Sequence, residues 1–332
     1  VATNPPIIAP LRRARGLLVA ATVLWGLSFP LMRGLELAQH LAAPGVSTAT
    51  LACADMAARF LMATLFLLPF YGRDFFTSTR GEWSQAGSLA LFAGAGLYLQ
   101  MVGLAWTDAS VSAFLTQLYT LLVPLLVACR DRRWPRLRTV AACLLVLLGA
   151  ALLSPGLMAH FVLAAGELII LASTIFIAFQ IVWVERPRYA ANRAGLVTLL
   201  MFTLMGVFFA LLFPFLGGTA RDAGRLFGAP SLAVLMLATV FFCTVINFYI
   251  MNKWQRWISA TEAGLIYCLE PVIATILASF LPGWISLIAN VSYLNETLSW
   301  TLLAGGALIV AATVLVATER RVSKLSFPAG GE

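Results

Sequence analysis

Seven stretches of this chain run without a charged residue for at least the roughly 20 residues that an apolar helix needs to cross a hydrocarbon core. They are 83–107, 109–129, 139–166, 194–220, 226–252, 271–295 and 297–318. Two shorter ones, 16–32 and 168–184, reach full length by taking in residues at the membrane surface. Inside a bilayer every backbone polar group must be satisfied within the chain, so such stretches are expected as helices. Ten are expected, at about 17–35, 47–71, 86–106, 109–129, 139–158, 163–184, 195–216, 232–252, 260–280 and 299–318. Composition agrees: 61% of residues are hydrophobic and 11% charged, against about 45–50% and 25% in soluble domains. Soluble enzyme, disordered tail and nucleic-acid module are excluded, despite a pI near 9.7.

The expected fold class is therefore an all-α integral membrane protein. Basic residues set its orientation. With the N-terminus cytoplasmic, the inner tails and loops hold 18 of the 22 Lys and Arg residues, among them Arg12, Arg13, Arg15, the 130–138 cluster, Arg186, Arg188 and Arg193. Arg221, Arg225 and Arg33 fall on the outer side, and Arg59 lies inside the second span. Both termini are then cytoplasmic, and the net charge of +8 reports topology. Arg12, Arg13 and Arg15 resemble a signal-peptide leader, but no small-residue cleavage site follows the apolar stretch, so it reads as a retained first helix. The five cysteines (Cys53, Cys129, Cys143, Cys243 and Cys268) lie in or beside apolar segments with no CxxC pair, arguing against disulfides and zinc.

The chain also repeats itself. An offset of 151 residues pairs 20–25 with 171–176, 108–115 with 259–266, and Leu118-Tyr119-Thr120 with Leu269-Glu270-Pro271. The expected units are a tail at 1–16, a five-helix repeat at 17–158, a second at 163–318, and a tail at 319–332. Five spans is an odd number, so the second copy enters the membrane from the opposite face. Inverted repeats of this kind are common in secondary transporters, which bind substrate near midplane between the halves.

Several motifs then resemble the drug/metabolite transporter superfamily in its ten-helix EamA-type branch. They are Leu24-Trp25-Gly26-Leu27-Ser28-Phe29-Pro30, Arg59-Phe60-Leu61 and Ala113-Phe114-Leu115-Thr116-Gln117-Leu118-Tyr119. Ala260-Thr261-Glu262-Ala263 with Leu269-Glu270-Pro271 is the most specific, and Asn295-Glu296-Thr297-Leu298 precedes Gly305-Gly306. Arg132-Arg133-Trp134 and the extra residues at 281–294 depart from the family pattern. The resemblance implies a carrier of small metabolites in a bacterial inner membrane, working as an exporter; it leaves the substrate open, and amino acids or related compounds are expected from the pocket residues below. A facilitator, an exchanger and a drug efflux carrier are alternatives within the same fold. A channel or a membrane-embedded enzyme fits less well. His40 and His160 are the only histidines, and no hydrolase or metalloprotease motif is present.

Ionisable residues inside a span cost roughly 2.5–3.5 kcal/mol each on insertion scales, which marks them as candidates for function. Asp55 and Arg59, spaced i,i+4, read as an ion pair embedded in helix two, with Arg59 also a candidate for substrate binding or gating. Glu270, followed by Pro271, has no cation one turn away and is the candidate for proton coupling; pairing with Arg59 is the structural alternative. Glu262 fits a capping box with Ser259 and Asp108 fits an N-cap. Glu167 and Glu185 read as solvated helix ends. Substrate-lining candidates are Trp25, Ser28, Tyr98, Gln100, Gln117, Tyr119, Gln180, Asn247 and Tyr267, each of which, taken alone, reads first as an interhelical hydrogen-bonding residue. Together they describe an aromatic, nearly neutral pocket. No cofactor, catalytic residue or metal site is expected, and the partners are a small-molecule substrate and the lipid bilayer, with no nucleic acid and a homodimer left open. Gly94, Gly96, Gly103, Gly305 and Gly306 read as close-packing positions. The 281–294 segment reads as an interfacial helix or a cover over the outer mouth.

Overall fold

The structure, a computed structural model, describes residues 8–104, 106, 115–153, 165–295, 297 and 300–317, and these are helical with no strand among them. Asp108 and Glu296 lie outside the described residues, as do parts of the Ala113–Tyr119 and Asn295–Leu298 motifs. The first helices are α1 (Ile8–Ala42), α2 (Thr48–Tyr71) and α3 (Arg80–Leu104). Next come α4 (Tyr119–Asp131), α5 (Leu137–Leu153), α6 (Ala165–Val184) and α7 (Ala194–Phe215). A short α8 (Ala220–Phe227) leads to α9 (Pro230–Ala238), which continues through a π-helical turn (Thr239–Ile246) into α10 (Asn247–Trp254). The chain then forms α11 (Ala260–Tyr267), α12 (Glu270–Ala278), α13 (Leu281–Ala289) and α14 (Trp300–Ala317).

Seven described segments are long and apolar enough to cross a membrane: Pro10–Ala42, Thr48–Tyr71, Arg80–Leu104, Ala165–Val184, Ala194–Phe215, Pro230–Trp257 and Ala260–Ala278. The apolar parts of α5 and α14 are shorter. Exposed large apolar side chains such as Phe70, Leu211, Phe215 and Leu287 stud the outer surface, as a lipid-facing belt requires.

Helix one departs from expectation. It begins by Ile8, so residues 8–16, read as tail, are helical. Two of the cationic residues there have partners. The Arg13 guanidinium lies 4.9 Å from the Trp254 ring centroid, and Arg15 Nε donates to Glu262 Oε1 at 2.5 Å. Ser259 caps α11 by accepting from the Glu262 N–H, which is the Ser259 half of the expected capping box.

A second departure is a break inside the ninth span. Turn residues Cys268 and Leu269 separate α11 from α12, and Gln117 and Leu118 form a similar turn before α4. The two turns stand 151 residues apart, the offset of the sequence repeat. Pro271 accounts for the second turn, since it cannot donate to the preceding turn of helix.

Packing brings helices distant in sequence together: α2 lies against α7, α3 against α6, and α5 against α14. Between apolar helices in lipid the association rests on close contact, which small residues permit. A methyl added at Gly149 would stand 2.6 Å from the Gly305 carbonyl oxygen, and one at Gly206 would stand 2.8 Å from the Leu61 nitrogen. In the 281–294 segment, Ile285 of α13 is buried while Trp284 and Leu287 stay exposed.

Candidate functional site

Helices from both halves enclose a cavity of about 140 Å³. Eight of the residues singled out in the sequence line it: Trp25, Ser28, Arg59, Gln100, Tyr119, Gln180, Tyr267 and Glu270. One wall is aromatic. Trp25 of α1 meets Tyr267 of α11 edge-on at 5.1 Å and Phe248 of α10 at 5.9 Å. The Tyr267 hydroxyl donates to Gln255 Oε1 at 2.9 Å, and Gln255 Nε2 donates to the Ile181 carbonyl at 2.6 Å, which ties α11 to α6 beneath that wall. Gln100 donates to Thr116 Oγ1 at 3.2 Å, and Gln180 to the Met251 sulfur at 3.6 Å.

Arg59 is anchored by the π-helical turn. Its Nε donates to Thr244 Oγ1 at 2.5 Å and its Nη2 to the Cys243 carbonyl at 3.2 Å. A π turn widens the backbone and is often found at functional sites. Thr244 uses its own hydroxyl hydrogen on the Thr239 carbonyl, five residues back, at 3.1 Å. The ion pair expected between Asp55 and Arg59 is therefore not made. Asp55, fully buried, instead accepts from Gln39 Nε2 at 2.7 Å. The i,i+4 spacing puts the two residues on one helix face, but each side chain reaches a different neighbouring helix.

Glu270 opens α12 directly after the Cys268-Leu269 turn and lines the cavity. It makes no hydrogen bond or ion pair with any described residue, and the pairing with Arg59 considered from the sequence is not formed. Tyr119 occupies the equivalent place after the Gln117-Leu118 turn, 151 residues earlier, and faces the same cavity.

Three candidates lie elsewhere. Tyr98 packs its ring on Phe209 at 5.5 Å and directs its hydroxyl toward the Ala49 carbonyl at 3.4 Å. Gln117 is buried in the turn before α4, and Asn247 is fully buried at the start of α10, with its side-chain amide unpartnered among the described residues. Their polarity suggested the cavity, but single-residue polarity does not say which face of a helix a residue occupies. Conversely, the cavity is also lined by Arg33 and Glu36, which pair at 2.9 Å. Their i,i+3 spacing near the end of α1 was the available signal. Glu167, in the first turn of α6, is half-buried and is not without a partner. Glu185 is another correction: its carboxylate is largely buried, accepting from the Ala260 N–H at 3.0 Å and from Arg130 at 3.4 Å. Burial raises its pKa against those contacts.

The end of the molecule away from Arg33 is held by polar ties. Glu82, at the start of α3, accepts from Arg193 Nε at 2.8 Å, Arg193 Nη2 at 3.0 Å and the Arg193 N–H at 3.2 Å. It also accepts from the Thr79 N–H at 2.8 Å.

Residues 13–154 match the family model described as the EamA-like transporter family. An uncharacterized transporter of Archaeoglobus fulgidus is 25% identical over 301 residues, covering 90% of this chain and 84% of that protein. A solved protein crystal structure superposes with a TM-score of 0.66 at 18% identity, over 92% of this chain and 96% of the other. At that identity it is the fold that is shared. The resemblance carried by the motifs holds over residues 13–154, in a chain with seven described segments long and apolar enough to cross a membrane.

Proposed function

We propose that this chain is an alternating-access secondary carrier of small metabolites, built as ten spans in two inverted five-helix halves and residing in a bacterial cytoplasmic membrane with both termini inside. The observation that carries the reading is the cavity itself: α1, α2, α3 and α4 supply one part of its lining and α6, α10, α11 and α12 the rest. The inverted-repeat reading is supported by the two helix breaks at the same 151-residue offset and by the pairing of α2 with α7 and of α5 with α14. Those are the self-contacts that a two-fold axis in the membrane plane would generate.

The lining favours an amino acid or related compound over a nucleotide. Its charges are Arg59, already bonded to the π turn, the self-paired Arg33 and Glu36, and the unpartnered Glu270. An amine on the substrate has Glu270 to meet, and an apolar or aromatic side chain has Trp25, Phe248 and Tyr267. A volume of about 140 Å³ is below the roughly 300–1,000 Å³ of drug-sized sites, which weighs against drug efflux. Arg33 is exposed at one end of the lining, while the Tyr267–Gln255–Ile181 ties and the Glu82–Arg193 pair occupy the other. With the orientation expected from the basic loops, we read this arrangement as the outward-open, inward-closed member of the cycle.

Glu270 is the proton-coupling group in this reading, because a carboxyl with no fixed partner is free to exchange a proton for the substrate. Export is the direction implied by the family resemblance. The test is counterflow in proteoliposomes preloaded with single unlabelled amino acids. Saturable, transient accumulation of the labelled compound supports a carrier. Linear, non-saturating flux would instead support a channel, and no movement of any amino acid by folded protein would overturn the substrate class.

A further inference from the structure

The end of the molecule that carries the basic loops holds a second cavity, of about 210 Å³, apart from the one described above. It is formed by the connection between α6 and α7 with Gln85 of α3, Asn252 of α10 and Arg256. Three guanidinium groups line it, those of Arg186, Arg188 and Arg256, against one carboxylate, that of Glu185. Glu185 is already committed to Arg130 and to the Ala260 N–H.

The three arginines are not equally occupied. Arg256 is taken up by backbone carbonyls, with Nε on Lys253 at 3.1 Å and Nη1 on Ala190 and Asn192 at 3.2 and 3.3 Å, and so shapes the connection. Arg188 bonds to the Tyr189 hydroxyl. The Arg186 side chain makes no hydrogen bond with any described residue, and its Nε is buried without an acceptor. Its guanidinium carbon lies 3.4 Å from the Trp183 ring centroid, and that of Arg188 lies 5.4 Å from the same centroid. Two like charges therefore stand beside one aromatic ring in a partly enclosed recess, where repulsion is screened less than in water. Burial and the Arg188 charge both lower the Arg186 pKa. Buried donors are rarely left unmade, and guanidinium forks match phosphate oxygens in geometry.

We propose that this recess binds a phosphate group, held between Arg186 and Arg188. Two sources carry that chemistry: the headgroup of an anionic lipid in the adjacent leaflet, and a soluble phosphate compound. Basic pockets between helices at a membrane surface suit lipid headgroups, and Trp183 and Tyr189 are side chains that favour that depth. Bound there, the phosphate would fix the α6–α7 connection that also presents Arg193 to Glu82. The proposal stands on this recess alone and is independent of the transported substrate.

The test is thermal unfolding of the purified full-length protein in phosphatidylcholine nanodiscs, with phosphatidylglycerol or inorganic phosphate as the added probe. At least one probe should raise the midpoint saturably by several degrees. The rise should be lost in Arg186→Gln/Arg188→Gln and kept in Arg133→Gln, which removes an exposed charge from another basic loop. A response to phosphatidylglycerol alone assigns the site to lipid, and one to phosphate alone assigns it to a soluble compound. Arg186→Lys, which keeps the charge without the fork, should weaken the response by several-fold, and serves if the double variant does not fold. Equal responses in wild type, the recess variants and Arg133→Gln would overturn the proposal, as would no response to either probe.

Discussion

Glu82 and Arg193, 111 residues apart in the chain, are joined by three hydrogen bonds through which the first turn of α3 receives both the guanidinium and the backbone N–H that precede α7. The Glu82 side chain is 3% exposed and that of Arg193 40%. Removing one partner of a fully buried pair costs about 3–5 kcal/mol, and the exposure of Arg193 reduces that toward about 2 kcal/mol. Glu82→Gln should lower the thermal midpoint, and in transport assays it should raise the rate of opening at that end. A double-mutant cycle with Arg193→Gln checks the coupling, the double variant being expected to lose clearly less than the sum of the two single changes.

Glu185 should contribute to stability with an uncommon sign. Its pKa in the folded protein is raised by burial, so the fold holds its proton more tightly than the unfolded chain does. Stability should then fall as pH rises through the range between the ordinary glutamate value and the raised one. Glu185→Gln keeps an acceptor for the Ala260 N–H and should flatten that fall. Glu185→Ala also removes the acceptor, costing about 1 kcal/mol as lost helix caps do. Unfolding midpoints measured from pH 4 to pH 8 decide both.

The contact of α5 with α14 depends on the absence of a side chain at Gly149, where an added methyl would stand 2.6 Å from the Gly305 carbonyl oxygen. Gly149→Val should force the helices apart and destabilise the protein by about 1–3 kcal/mol. Gly87, beside which no heavy atom lies within 4 Å of an added methyl, should accept alanine with little change in the same thermal assay.

Thr244 is the hydroxyl that receives Arg59 Nε. Thr244→Val preserves the side-chain shape and leaves a buried guanidinium donor unpaired, at a cost of about 1–3 kcal/mol. Thr244→Ser should retain the bond and most of the stability. Equal thermal midpoints for the valine and serine variants would show that the anchor carries no weight.

Much of this architecture is legible in the chain, because spans and their charged connections are properties of composition over some 20 residues. The second helix, expected at 47–71, runs Thr48–Tyr71. The 151-residue offset also anticipated that Tyr119 and Glu270 would occupy matching places. Pairwise contacts were not legible in the same way. Asp55 and Arg59 have the spacing of an ion pair, yet Gln39 and the π turn take them, because the partners come from helices whose rotation about their axes no local pattern encodes. The same limit misplaced Tyr98, Gln117 and Asn247. Glu185 looked solvated because helix ends usually are, and only the approach of the α11 N-terminus buries it.

The most direct test of the account is uptake of a counterflow-positive amino acid into proteoliposomes, with and without an imposed pH gradient, in wild type and Glu270→Gln. The account predicts gradient-driven accumulation in the wild type. In the variant that accumulation should fall at least tenfold, while gradient-independent exchange of the same amino acid persists. If wild type and Glu270→Gln respond identically to the gradient, Glu270 carries no proton, and the coupled mechanism assigned to this cavity is contradicted.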